Sequence, residues 1–86
     1  MEKQEAYNLG RREDKFFGIL KENGFFHYIS IGSTIFIGDK SCRNVGHIHP
    51  DPDASYLIIS SDVERIITDP KLRESFSKLR KLAEEF

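Results

Sequence analysis

Tryptophan is absent from this chain, and cysteine and methionine each occur once in 86 residues. With Cys42 as the single thiol, an internal disulfide is excluded, and a reducing, intracellular setting suits the sequence better than a secreted one. An excess of either charge is also missing. Thirteen Lys and Arg stand against fourteen Asp and Glu, a net charge of −1, so no long-range field draws in nucleic acid or an anionic membrane. No apolar run approaches the roughly 20 residues that cross a bilayer. The opening stretch MEKQEAYNLGRRED has none of the apolar core of a signal peptide. Gly-rich phosphate loops, a Ser-His-Asp ordering and a paired-carboxylate motif are all lacking, which leaves no legible catalytic set. These absences together imply a protein of the cytoplasm, in a cell or in a virus-infected host cell, with no membrane partner.

What is present is sufficient for a core. Hydrophobic residues make up 38% of the chain, with seven Phe and three Tyr, and the charges are interleaved among them rather than run together. No repeat or linker divides the chain, so residues 1–86 are read as one α+β domain, of the size that buries about 60% of its unfolded surface. From Glu2 to Asn23 the pattern predicts an N-terminal helix. Phe16 and Leu20 share a face at i, i+4, Asn23-Gly24 forms the stop, and residues 1–10 are read as a frayed arm. The period then becomes two. Phe25 to Ile31 and Thr34 to Ile37 form a hairpin about Gly32-Ser33, followed by strands over Arg43 to His49 and Ser55 to Ser60, a four-stranded antiparallel meander. Ser61 with Glu64 has the spacing of a capping box opening a short helix. Asp69-Pro70 then opens a C-terminal amphipathic helix, with Leu72, Phe76, Leu79, Ala83 and Phe86 on its apolar face. The helices are expected to pack on one face of the sheet, leaving the other to a partner or a second copy.

The densest chemistry lies in NVGHIHPDPDAS, residues 44–55. His47 and His49 alternate on a strand, so both imidazoles face the same way and can share an ion. Cys42 precedes them, Asp51 and Asp53 follow, and His27 is available from the first strand. His47, His49, Cys42 and Asp51 are therefore the candidate metal ligands, with zinc the one cofactor the pattern allows. Strong zinc spacings pair two such clusters, and this chain has one, so the default is no cofactor. His47-Ile48-His49-Pro50 followed by Ser60, Ser61 and Asp62 resembles the His-x-His-Pro and Ser-x-x-Asp motif of the JAMM metalloproteases. The resemblance implies a zinc held by His47, His49 and Asp62 and a metal-dependent hydrolase. It covers residues 47–62 only, the gap from serine to aspartate differs from the motif, and the chain is short for that fold.

Two further sets of residues carry binding rather than chemistry. Arg11, Arg12, Lys40 and Arg43 beside strand aromatics Phe26 and Tyr28 have the composition of a nucleic-acid surface on a sheet. The Asp51-Pro52-Asp53 loop, stiffened by proline, together with Tyr28 and Phe36 on the second sheet face, is the candidate protein-binding surface. Without a catalytic set, the sequence is read first as a non-catalytic interaction or regulatory module of the inhibitor, antitoxin or phage-encoded host-modulator type. A homodimer is expected, since apolar surface exceeds what one small domain covers.

Overall fold

In a computed structural model, the structure describes residues 5–29, 32–41 and 43–86, with the side chains of residues 28, 29, 62 and 63 outside the description. It is an α+β fold in which a five-stranded antiparallel sheet carries helices on one face. The elements are β1 (Glu5–Gly10), α1 (Glu13–Glu22), β2 (Phe26–Ile29), β3 (Ile35–Gly38), β4 (Asn44–Pro50), β5 (Ser55–Ile59), α2 (Ser61–Ile66) and α3 (Pro70–Glu85). The strand order is β1-β5-β4-β3-β2. Strands β2 to β5 are the expected meander, and β1 is a fifth strand added along β5.

The expectation of a helix or frayed arm before Gly10 is thus corrected. Glu5 to Asn8 pair with Ile59 to Tyr56, and Leu9 is fully buried. Glu5, Tyr7 and Leu9 alternate toward the core side while Ala6 and Asn8 are exposed, the period of a strand. Gly10, at a φ of 61°, ends it, with its N–H donating to the Asn8 carboxamide at 2.7 Å. Helix α1 then carries the chain across the sheet to the opposite edge and stops at Asn23, whose side-chain amide donates to the Ile19 carbonyl at 2.7 Å. The β2–β3 ladder runs to the Ile29–Ile35 pair. Ser30 and Ile31, which the sequence places in a strand, lie outside the described residues, as do Glu2 to Gln4.

Register fixes the two faces. Ile48 and Leu57 pair across β4 and β5, Ile35 pairs with Ile48, and Ile37 and Ile59 both oppose Gly46. This face, with Leu9, packs against Phe16 and Leu20 of α1 and Leu72, Phe76, Leu79 and Ala83 of α3. The i, i+4 pair of α1 and the apolar stripe of α3 are therefore buried as their spacing predicts.

Two ionic groups lock the helices down. Arg43 bonds Asp39 through Nε at 3.2 Å and Nη2 at 3.1 Å and also pairs with Asp69, the N-cap of α3, whose carboxylate accepts from the Lys71 N–H at 2.9 Å. At the other end, Arg80 of α3 grips Glu5 of β1 with two bonds of 2.7 and 2.8 Å and reaches Glu64 of α2 at 2.6 Å. The Ser61 hydroxyl donates to Glu5 at 3.1 Å. The capping box expected for α2 is consequently not formed: Ser60 is the N-cap, without a side-chain cap bond, because Ser61 and Glu64 are engaged by Glu5 and Arg80. No helix among the described residues is long and apolar enough to cross a membrane.

Candidate functional site

The sheet face turned away from the helices is built by alternation from every strand. Ile58 opposes Ala6 on one side and His47 on the other, Tyr56 opposes Asn8 and His49, Phe36 opposes His47, and Tyr28 opposes Phe36. Phe26 belongs to the same row on β2 and is 51% exposed, an unusual position for a phenylalanine with a core available. Phe36, His47, Tyr56 and Ile58 are each half-buried by their strand neighbours alone, and none of them joins the core. The rings of Phe36 and His47 meet across β3 and β4 at 5.6 Å between centroids, tilted by 53°. The Tyr28 side chain is outside the described residues.

The electrostatic character of this face follows from its residue types. None of the described strand side chains on it is Lys, Arg, Asp or Glu. Burial among its neighbours, and secondly the nearby His49, hold the His47 imidazole below the usual histidine range, so the neutral ring is favoured. His49 is exposed, with Nε2 3.3 Å from an Asp51 carboxylate oxygen. That contact places the Asp51-Pro52-Asp53 turn at the rim of the face, where the Asp51 N–H closes the hairpin on the Ala54 carbonyl at 2.9 Å.

The candidate metal ligands are only partly gathered. His47 and His49 do share the open face, and Asp51 joins His49. His27 sits on the helix side of the sheet, its ring 4.7 Å from that of Phe17 on α1, so the sheet itself separates it from the other two histidines. Among the described residues no three of His, Cys, Asp and Glu converge on a common point. Cys42 and the Asp62 side chain, the latter implied by the metalloprotease resemblance, lie outside the described residues.

The four candidate nucleic-acid cations fall at three separate places, with Lys40 and Arg43 together at one of them. Arg11 lines a shallow cavity of about 220 Å³ with Asp51 and Asp53. Arg12 lies over the ring of Phe86, 4.3 Å from its centroid. Lys40 and Arg43 border a second cavity at the N-terminal end of α3. None lies on a strand position of the aromatic face. Tyr56 and Ile58 were not singled out as surface residues from sequence, because an unbroken apolar run from Tyr56 to Ile59 hides the alternation that turns two of them outward.

Set against protein-family models, curated proteins and solved structures, the chain shows no significant match to any of the three, and the metalloprotease resemblance remains confined to its short motif.

Proposed function

We propose that the chain is a small non-catalytic interaction module that works as a homodimer, closed face to face across the open side of its sheet. One observation carries this reading: a central five-stranded sheet presents Phe26, Phe36, Tyr56 and Ile58, with two histidines, on a face that no helix among the described residues covers. Five strands about 4.8 Å apart and about 17 Å long give a planar footprint on the order of 400 Å², the size of the largest apolar patches on monomers and often the functional one. Standard stable interfaces bury about 800 Å² of accessible surface per partner, so corrugated side chains and the Asp51-Pro52-Asp53 rim bring this face to the lower end of that class. We expect a dimer that dissociates on dilution.

Charge selects the occupant. A nucleic acid needs cations beside the stacking aromatics, and the described strand positions of this face supply none. A second copy stacked on the strand residues meets no like charge there, the Asp51 and Asp53 carboxylates lying beyond the end of β4 at the rim. Sedimentation of untagged protein should give twice the chain mass at high micromolar concentration and a monomer on dilution. Phe26→Glu and Phe36→Glu should both shift the chain to monomer while far-ultraviolet circular dichroism stays unchanged. A monomer throughout that range, a dimer indifferent to both changes, or retention on single-stranded RNA that both changes abolish would each overturn the reading.

A further inference from the structure

On the helix side, a cavity of about 180 Å³ opens where two connections, the α1–β2 turn and the β3–β4 turn, meet the first half of α3. Four of the chain's thirteen basic residues, Lys40, Arg43, Lys71 and Lys78, line it, in a protein whose net charge is −1. Lys71, Ser75 and Lys78 reach it together because positions i, i+4 and i+7 share one face of a helix. The acid in the lining, Asp39, is 4% exposed and already satisfied: its carboxylate accepts from the Ser41 and Arg43 backbone N–H groups at 2.9 and 3.0 Å and is paired with Arg43. Arg43 is in turn shared with Asp69. Among the described residues no carboxylate lies within 4.0 Å of the Lys40, Lys71 or Lys78 ammonium groups. Three lysines thus line one cavity, and the aspartate beside them is taken by an arginine.

Lys40 is also held in place. Its stem lies across Gly24, where a Cβ would stand 2.5 Å from the lysine Cε, and Gly24 has a φ of 85° that other residues rarely adopt. The absence of a side chain at Gly24 leaves room for the Lys40 stem beside the cavity. At this volume the cavity is below the roughly 300–1,000 Å³ of sites for drug-sized ligands and suits one compact anion.

We propose that this cavity binds a phosphoryl group, either free phosphate or the head of a small phosphate monoester, between the ammonium groups of Lys40, Lys71 and Lys78; the Ser75 hydroxyl on its wall donates to the Lys71 carbonyl at 3.2 Å and lies 3.4 Å from an Asp39 carboxylate oxygen. Lysines act here as point charges on a dianion, because the Arg43 guanidinium in the lining is already engaged by Asp39 and Asp69. The site lies across the sheet from the proposed dimer face and stands or falls independently of it.

The test is a nitrogen-15 NMR titration of the whole chain at low ionic strength, with inorganic phosphate in one arm, phenyl phosphate in a second and sodium chloride of matched ionic strength in a third. Saturable shifts of the Gly24, Lys40 and Ser75 amides are expected with either phosphate and not with chloride. Equal affinity in the two arms assigns the site to free phosphate, and tighter binding of phenyl phosphate assigns it to a monoester. Lys71→Gln/Lys78→Gln should weaken binding by at least about tenfold, since each removes a direct charge on the ligand. Lys21→Gln, on α1 and outside the cavity, should not change it. Shifts no larger than those from chloride, or an unchanged affinity in the double variant, would overturn the proposal. The exposed position of Lys71 and Lys78 lets both be replaced without loss of the fold.

Discussion

At Gly46 a side chain has no room. A Cβ there would stand 2.6 Å from the carbonyl oxygen of Ile58 and 3.4 Å from the Cα of Ile59, and both are backbone atoms of the paired strand that cannot rotate aside. The residue occupies the pair with Ile59 just after the irregularity at which Asn44 opposes Gly38, so it sets how closely β4 and β5 approach. Gly46→Ala should therefore lower stability by about 1–3 kcal/mol through overpacking, read as a shift of the denaturation midpoint at constant slope. A neutral or stabilising outcome would mean that the strands can separate at this point. His47 is the next residue, so strain at Gly46 also passes to the Phe36–His47 contact at the middle of the open face.

Among the elements, β1 depends on side chains as much as on its ladder. Glu5 is held by Arg80, and this, with smaller help from the Tyr7 and Ser61 hydroxyls, keeps its carboxyl below the ordinary value of 4.5 despite partial burial. The Tyr7 hydroxyl is pushed the other way, up to about 12, by burial and then by its bond to Glu5. A carboxyl whose folded pKa is depressed contributes stability that is fully present above its unfolded pKa and is lost as pH falls through the folded one. Stability should accordingly decline as pH drops below about 4.5. Glu5→Gln should cost about 1–2 kcal/mol at neutral pH, discounted for the partial exposure of the pair, and the gap to the parent should narrow as pH falls below about 4.5. Thermal melts of both proteins across that range decide it, and a gap constant with pH would assign the loss to packing. This strand was the part of the fold least legible in the sequence. Leu9 stands seven residues before Phe16, a spacing that mimics two helical turns, while a strand with only Ala6, Tyr7 and Leu9 as apolar residues is too short to declare its own period. Helix α3 was legible because Leu72, Phe76, Leu79 and Ala83 repeat over about three turns. Ser61 and Glu64 show the opposite case: local spacing was right for a cap, and partners distant in the chain claimed both side chains. Of the open face, the histidine pair and Phe36 could be read from alternation, whereas Tyr56 and Ile58 needed the register.

For the molecule as a whole, the sheet divides two kinds of surface. One side carries the helices, the ion pairs and the lysine-lined cavity, and the other is neutral and aromatic. If the aromatic side is closed by a second copy, native stability is linked to association by mass action, and the melting temperature should climb with protein concentration for the parent and stay flat for Phe36→Glu. A parent melt independent of concentration over a hundredfold range would deny that linkage. The strand order also bears on how the chain reaches this state. Strands β2 to β5 join through neighbouring connections, whereas β1, made first during synthesis, must wait for β5, because Glu5 pairs with Ile59. Closing so long a loop carries an entropic cost that local hairpins do not bear. The meander and α3 thus form the scaffold on which β1 docks late, and until Arg80 of α3 is in place the Glu5 carboxylate lacks its ion-pair partner.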